Sequence, residues 1–101
     1  MVAAIPQSAL DAVPAFCKRW GIVELAVFGS ALRPDFGARS DIDVLVSFAP
    51  DALRGVDEQV AMRDELESMF GRRVDFVTRA SLRNPFRRQE ILRTRRVLHA
   101  A

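Results

Sequence analysis

Val27-Phe-Gly-Ser-Ala-Leu-Arg-Pro-Asp-Phe-Gly-Ala-Arg-Ser-Asp-Ile-Asp-Val-Leu-Val46 is the stretch whose reading decides the fold. An apolar run, Leu25 to Phe28, stops abruptly at Gly29-Ser30. A polar loop follows, from Ala31 to Ser40, rich in the turn formers Pro34, Asp35 and Gly37. Ile42, Val44, Val46 and Phe48 then alternate with Asp41, Asp43, Leu45 and Ser47. That period of two predicts a strand over about Asp41–Phe48, after a first strand over about Glu24–Phe28. Strand side chains alternate between faces, so Asp41 and Asp43 leave the same face about 7 Å apart along the backbone. Two carboxylates at that spacing, beside a turn of small residues, suit a divalent cation carrying a phosphate.

Outward from this stretch, the chain predicts helices and one more strand. Ser8-Ala-Leu-Asp11 fits a capping box, and Leu10, Val13, Phe16, Cys17 and Trp20 follow at helical spacing to Gly21. Pro14 leaves two starts open: a helix kinked at Pro14, or one beginning at Asp11 with the proline in its first turn. Cys17 and Trp20 read as core. Beyond Pro50-Asp51, a long helix is expected over about Leu53–Phe70, with Val56, Val60, Met62, Leu66, Met69 and Phe70 on or near one face and Gly71 as its stop. Arg73–Thr78 reads as a third strand, with Val74 and Phe76 on one face and Asp75 and Val77 on the other. Asp75 is then an acid inside an apolar strand, costly to bury unless paired or metal-bound, and ordinary if that face meets water. Asn84-Pro85 reads as an N-cap and first helical residue for a last helix to about Arg95. Val97 and Leu98 either continue it or dock as an extended tail. His99, near the terminus, is given no chemistry.

The order helix, strand, strand, helix, strand, helix predicts an α+β domain spanning residues 1–101: a small mixed sheet of three to four strands with helices packed on it. Half of the 101 residues are apolar, so disorder is not expected. No apolar run reaches membrane-spanning length, and the N-terminus does not read as a signal peptide. With a single cysteine there is no internal disulfide, which fits a cytoplasmic protein. Charge is uneven. Residues 1–71 hold six basic and eleven acidic side chains (−5), and residues 72–101 nine basic and two acidic (+7), which together give the net +2. The basic segment reads as a solvated arginine-rich face before it reads as a ligand site. Only Phe86 among its aromatics lies beyond Phe76, so base-stacking platforms are lacking and nucleic acid is not the expected partner.

If the strands lie side by side, Asp41, Asp43 and Asp75 converge. Three carboxylates in one cleft repel one another unless cations hold them. Their hard oxygens select Mg²⁺ or Mn²⁺ over zinc, and two such ions about 4 Å apart suit phosphoryl or nucleotidyl transfer. Gly29 permits close approach to a phosphate, and Ser30 can donate to it. No Walker A ending follows the turn.

Gly29-Ser30, ten intervening residues and Asp41-Ile-Asp43, with Asp75 much later on its own strand, resemble the signature of the DNA polymerase β-type nucleotidyltransferase superfamily. Phe28–Arg33, Ser40–Val46 and Gly71–Val77 look like the three blocks of its minimal nucleotidyltransferases, the MNT family of bacteria and archaea. The resemblance implies the palm-like fold of that family and a Mg²⁺-dependent transfer of NMP with release of pyrophosphate. It implies that Asp41 and Asp43 bind both metal ions, and that Asp75 binds the catalytic one and helps deprotonate the acceptor. Gly29 and Ser30, with Arg33 and Ser40 beside them, would hold the nucleotide; Arg39 reads as a surface loop residue. Larger relatives carry an acceptor domain for which this chain has no room, so a partner protein or a second copy would bring the acceptor. Minimal members are often paired with a HEPN-domain RNase toxin and act as its antitoxin, some by attaching AMP to a toxin tyrosine. The resemblance therefore implies ATP and a HEPN toxin as partners. A non-catalytic antitoxin that acts by contact alone is the other expectation.

Overall fold

The computed structural model describes residues 5–33, 37 and 40–101. Its elements, in chain order, are α1 (Gln7–Trp20), β1 (Ile22–Phe28), a 3-10 turn (Gly29–Leu32), β2 (Ile42–Phe48), α2 (Val56–Phe70), β3 (Val74–Thr78), α3 (Pro85–Thr94) and β4 (Arg96–Ala100). The expected α+β architecture is present, with a sheet of order β3-β2-β1-β4. β1 runs antiparallel to both β2 and β4, whereas β2 and β3 are parallel. Parallel neighbours need a crossover of a dozen or more residues, and α2 supplies it. β4 is the fourth strand: the chain after α3 turns back extended and pairs Leu25 with His99 and Ala26 with Val97.

Alternation in the strands builds two cores. Ile42, Val44 and Val46 point to one face, where Val13, Phe16 and Cys17 of α1 and Met62, Leu66 and Phe70 of α2 cover them. Phe28 and Leu45 point to the other, under Leu82 and Ile91 of the α3 region. Fully buried side chains such as Leu45 and Leu66 each contribute about 1.5–3 kcal/mol of burial free energy.

The structure settles the open start of α1 and corrects two local expectations, the Ser8 capping box and the width of the α2 stripe. α1 starts at Gln7, not at Asp11, and no side chain caps it; the Pro6 carbonyl instead accepts the N–H groups of Ala9 and Leu10 at 3.0 and 3.1 Å. Pro14 lies inside the helix on its exposed side, where water can serve the carbonyl that the proline cannot. On α2 the apolar stripe is narrower than expected: Val56 is 79% and Val60 43% exposed. At about 100° per residue, Val60 lies about 160° round the helix from Met62, on the far side from the core. The basic C-terminal segment forms the expected strand and helix, β3 and α3, and its end is extended as β4. No described helix is long and apolar enough to cross a membrane.

One ion pair fastens that segment. Arg95, just after α3, donates to Glu24 of β1 through Nε at 2.7 Å and Nη2 at 3.3 Å, and also donates to the Leu92 carbonyl. Both side chains are mostly buried. Arg95's hydrogen bonds hold the Glu24 carboxyl below the usual carboxylate range, against the opposing effect of burial. A depressed carboxylate pKa stabilises the fold above the unfolded value, near 4.3, and that contribution disappears as pH falls through the folded value. Arg95→Leu should therefore cost about 1–3 kcal/mol at pH 7. Urea unfolding of both proteins should show the difference shrinking between pH 5 and pH 3.

Cys17 is fully buried in the first core, and burial alone pushes its thiol up to about 12. It should react with a disulfide reagent only as fast as the protein unfolds, and rapidly in denaturant. The unfolded thiol ionises near 8.5, so stability from this group should fall as pH rises above that value.

Candidate active site

The turn at the end of β1 sets the site. Gly29 holds φ +65°, in the left-handed region where a side chain is disfavoured. Its missing side chain also makes room: a Cβ there would stand 2.5 Å from Oδ2 of Asp43. Phe28 and Asp43 are direct cross-strand partners, so the turn begins beside this acid. Ser30 contributes twice. Its backbone N–H donates to the Asp43 carboxylate, and its hydroxyl donates to the Asp41 carbonyl at 3.2 Å.

Asp75 arrives from the next strand. In the parallel register of β2 and β3 it is the partner of Asp43, and the two carboxyl groups interact directly. Both leave the sheet on the α3 face, in line with Leu45 and Val77, but at the end that α3 leaves open. Burial pushes the Asp43 carboxyl above the usual carboxylate range, and the charges of Asp75 and Asp41 push in the same direction. The Ser30 N–H only partly offsets them. Asp43 is half-buried, whereas Asp41 and Asp75 are exposed. The structure thus brings Asp43, Asp75, Gly29 and Ser30 together, with Asp41 at the entry of β2.

The remaining candidates stand further out. Arg33 is exposed, and its N–H closes the turn on the Ser30 carbonyl at 3.1 Å. Ser40 is half-buried and shapes the loop: its hydroxyl accepts from the Gly37 N–H at 3.3 Å. Arg72 donates to the Gly37 carbonyl at 2.8 Å, tying the same loop to the start of β3. Pro34, Asp35 and Arg39 lie outside the described residues. A cleft of about 270 Å³ runs from Asp75 and Phe76 to Val56, Gln59, Val60 and Arg63 of α2, placing exposed apolar side chains next to the acidic end of β3. Sequence periodicity alone missed this, because it assigned Val56 and Val60 to the core.

The donor set fits a hard divalent cation. It is all carboxylate, the glycine leaves one side of Asp43 uncrowded, and the repulsion that raises Asp43 is the kind a cation relieves. Among the described residues no three acid, histidine or cysteine side chains are already gathered as a cage. Closing one requires the exposed Asp41 to turn toward the Asp43–Asp75 pair.

Comparison with known proteins gives concordant results. A family model described as a nucleotidyltransferase domain matches residues 11–98. The protein adenylyltransferase MntA of Thermococcus cleftensis is 36% identical over 69 residues, 66% of each chain. A solved structure assigned as a minimal nucleotidyltransferase superposes with a TM-score of 0.75 at 33% identity, covering 89% of both chains. The MNT antitoxin in complex with a tri-AMPylated HEPN toxin of Shewanella oneidensis has the same fold. Its TM-score is 0.65 at 18% identity, covering 94% of this chain and 72% of that one.

Proposed function

The chain belongs to the nucleotidyltransferase domain family, and from that premise we propose that it is a protein adenylyltransferase that transfers AMP from ATP to a hydroxyl group of a partner protein. The partner we infer is a HEPN-domain toxin, with this chain as its antitoxin. The observation that carries the reading is the Asp43–Asp75 carboxyl pair on adjacent strands, beside a glycine whose missing side chain keeps Asp43 accessible. The named activity of a 36% identical relative supports the adenylyl group, and the fold shared with a HEPN-bound antitoxin supports the partner.

Asp41, Asp43 and Asp75 would hold two divalent ions, Mg²⁺ or Mn²⁺. When bound, these ions supply activation of the attacking oxygen and neutralisation of the departing pyrophosphate. The chain's own residues do the rest. Gly29 brings its backbone N–H to the phosphates, and Ser30 its hydroxyl once that turns from the Asp41 carbonyl; Arg33 and Ser40 border the same loop. Asp75 accepts the proton of the acceptor hydroxyl. The acceptor oxygen then bonds to the α-phosphorus in line, the bond to the bridging oxygen breaks, and pyrophosphate leaves. The acceptor in this reading is a hydroxyl of the partner protein.

The test is label transfer. With α-labelled ATP, label should appear on a co-expressed HEPN partner; with γ-labelled ATP it should not. Neutralisation of the partner that survives Asp41→Ala combined with Asp43→Ala would sink the catalytic reading and leave an antitoxin acting by contact.

A further inference from the structure

A second cavity lies away from the acids. It lies at the opposite end of β2 and β3, has a volume of about 540 Å³, and is lined by Ser47, Phe48, Arg54, Thr78, Arg79 and Arg88 among others. Ser47 is four residues beyond Asp43 on β2, so the two ends are about 13 Å apart.

Three features mark this cavity as a ligand site. First, three guanidinium groups line it and no carboxylate does. Arg88 is anchored through Nη1 to the carbonyls of Arg79 and Leu82, which fixes its position, and no acid among the described residues pairs its charge. Arg54 and Arg79 have no side-chain hydrogen bond or ion pair among the described residues. Glu24 feels the charge of Arg79 but is already held by Arg95. Second, the Ser47 hydroxyl in the wall is buried without a hydrogen-bond partner, alone in this among described side chains. Native folds rarely leave such a group unmatched. Third, Phe48 and Ala80 add apolar lining to the cavity, and its volume is that of a small-ligand site. Guanidinium forks match phosphate oxygens, and an apolar wall beside them suits a base or another flat organic group.

We propose that this chain carries a second ligand site, separate from its acidic one, in which Arg54, Arg79 and Arg88 hold the phosphate of a mononucleotide-sized organic phosphate. The site needs no divalent cation, since its charge is supplied by arginine. It is therefore distinguishable from the acidic end, whether or not the proposed transferase activity holds.

The experiment is an amide-shift titration of the ¹⁵N-labelled full chain in EDTA, with AMP, adenosine and an eight-residue oligoadenylate as probes. AMP should shift Ser47, Thr78 and Arg79 saturably, and adenosine should not. Asp43→Asn should leave the AMP response in place. Arg54→Ala with Arg79→Ala should weaken it by about tenfold or more, the loss expected when charge-assisted contacts go. Both arginines are exposed, so a dispersed spectrum is expected; Arg54→Ala alone should give an intermediate loss. Shifts confined to Gly29 and Ser30, equal responses to adenosine, or an unaffected double variant overturn the proposal. Oligoadenylate binding about tenfold tighter than AMP overturns the mononucleotide assignment in favour of a nucleic-acid strand.

Discussion

Asp43→Asn should reduce adenylyl transfer by on the order of 10³-fold, about 4 kcal/mol of barrier, while leaving the unfolding temperature equal to or above that of the parent. The two halves of that expectation come from the same geometry. Asp43 is the half-buried member of the acid pair, and burial together with Asp75 and Asp41 disfavours its ionised form. A carboxyl group whose folded pKa is raised lowers stability at pH 7, where the unfolded chain would hold it ionised. Removing the charge therefore removes a destabilising element. Asparagine keeps the shape, and its carbonyl oxygen can still accept from the Ser30 N–H. What it cannot do is supply the anionic ligand the proposed chemistry requires. A structural acid would behave in the opposite way: Glu24, bound by Arg95, loses stability when its pairing is removed. Label transfer and calorimetry on one preparation check both halves. A variant that keeps transfer within about tenfold of the parent would remove Asp43 from the mechanism.

That contrast also explains what was legible in the sequence. Asp41, Asp43 and Asp75 could be placed on strand faces from alternation alone, because a period of two is a local property of the backbone. The Gly29 turn was legible for the same reason. The partnership of Asp43 with Asp75 was not local. It depends on β2 and β3 pairing in parallel with this register, which α2 and the shared core decide. Val56 and Val60 show the limit: an apolar residue near a helical stripe is assigned to the core unless the width of that stripe is known, and the width is set by what packs against it. Arginine-rich composition was equally silent about individual fates. Within one basic segment Arg95 became a mostly buried structural cation, Arg93 an exposed partner of Glu90, and Arg79 and Arg88 the wall of a cavity. Only the Glu90–Arg93 pair is written in the spacing, as i and i+3 on one helix; Arg95 meets its acid on β1, 71 residues away in sequence. The final strand was ambiguous because β4 is short and depends on β1 for its hydrogen bonds.

Gly29→Ala separates two roles of a glycine, because the molecule contains its own control. Gly71 ends α2 with φ +70°, nearly the value at Gly29, and an added Cβ there meets nothing within 4 Å. Gly71→Ala should therefore show backbone strain alone, about 1 kcal/mol of lost stability, with transfer unchanged. Gly29→Ala bears the same strain and also drives a methyl group to 2.5 Å from Asp43 Oδ2, where ordinary contact begins at 3.4 Å. Relief requires the carboxylate, or the turn that carries Ser30, to move by about 1 Å. Overpacking of this kind costs a further 1–3 kcal/mol or so, and a displacement of about 1 Å at reacting groups can cost on the order of 10² in rate. The expected pattern is a stability loss of about 2–4 kcal/mol for Gly29→Ala against about 1 for Gly71→Ala, with the rate loss confined to the first. Combining Gly29→Ala with Asp43→Ser, which shortens the side chain in the way, should recover part of the stability and none of the activity. Recovery of that kind places the collision at Asp43 and not in the backbone. Equal stability losses in the two glycine variants would mean that the turn at Gly29 is set by φ alone and that its close approach to the acid is incidental.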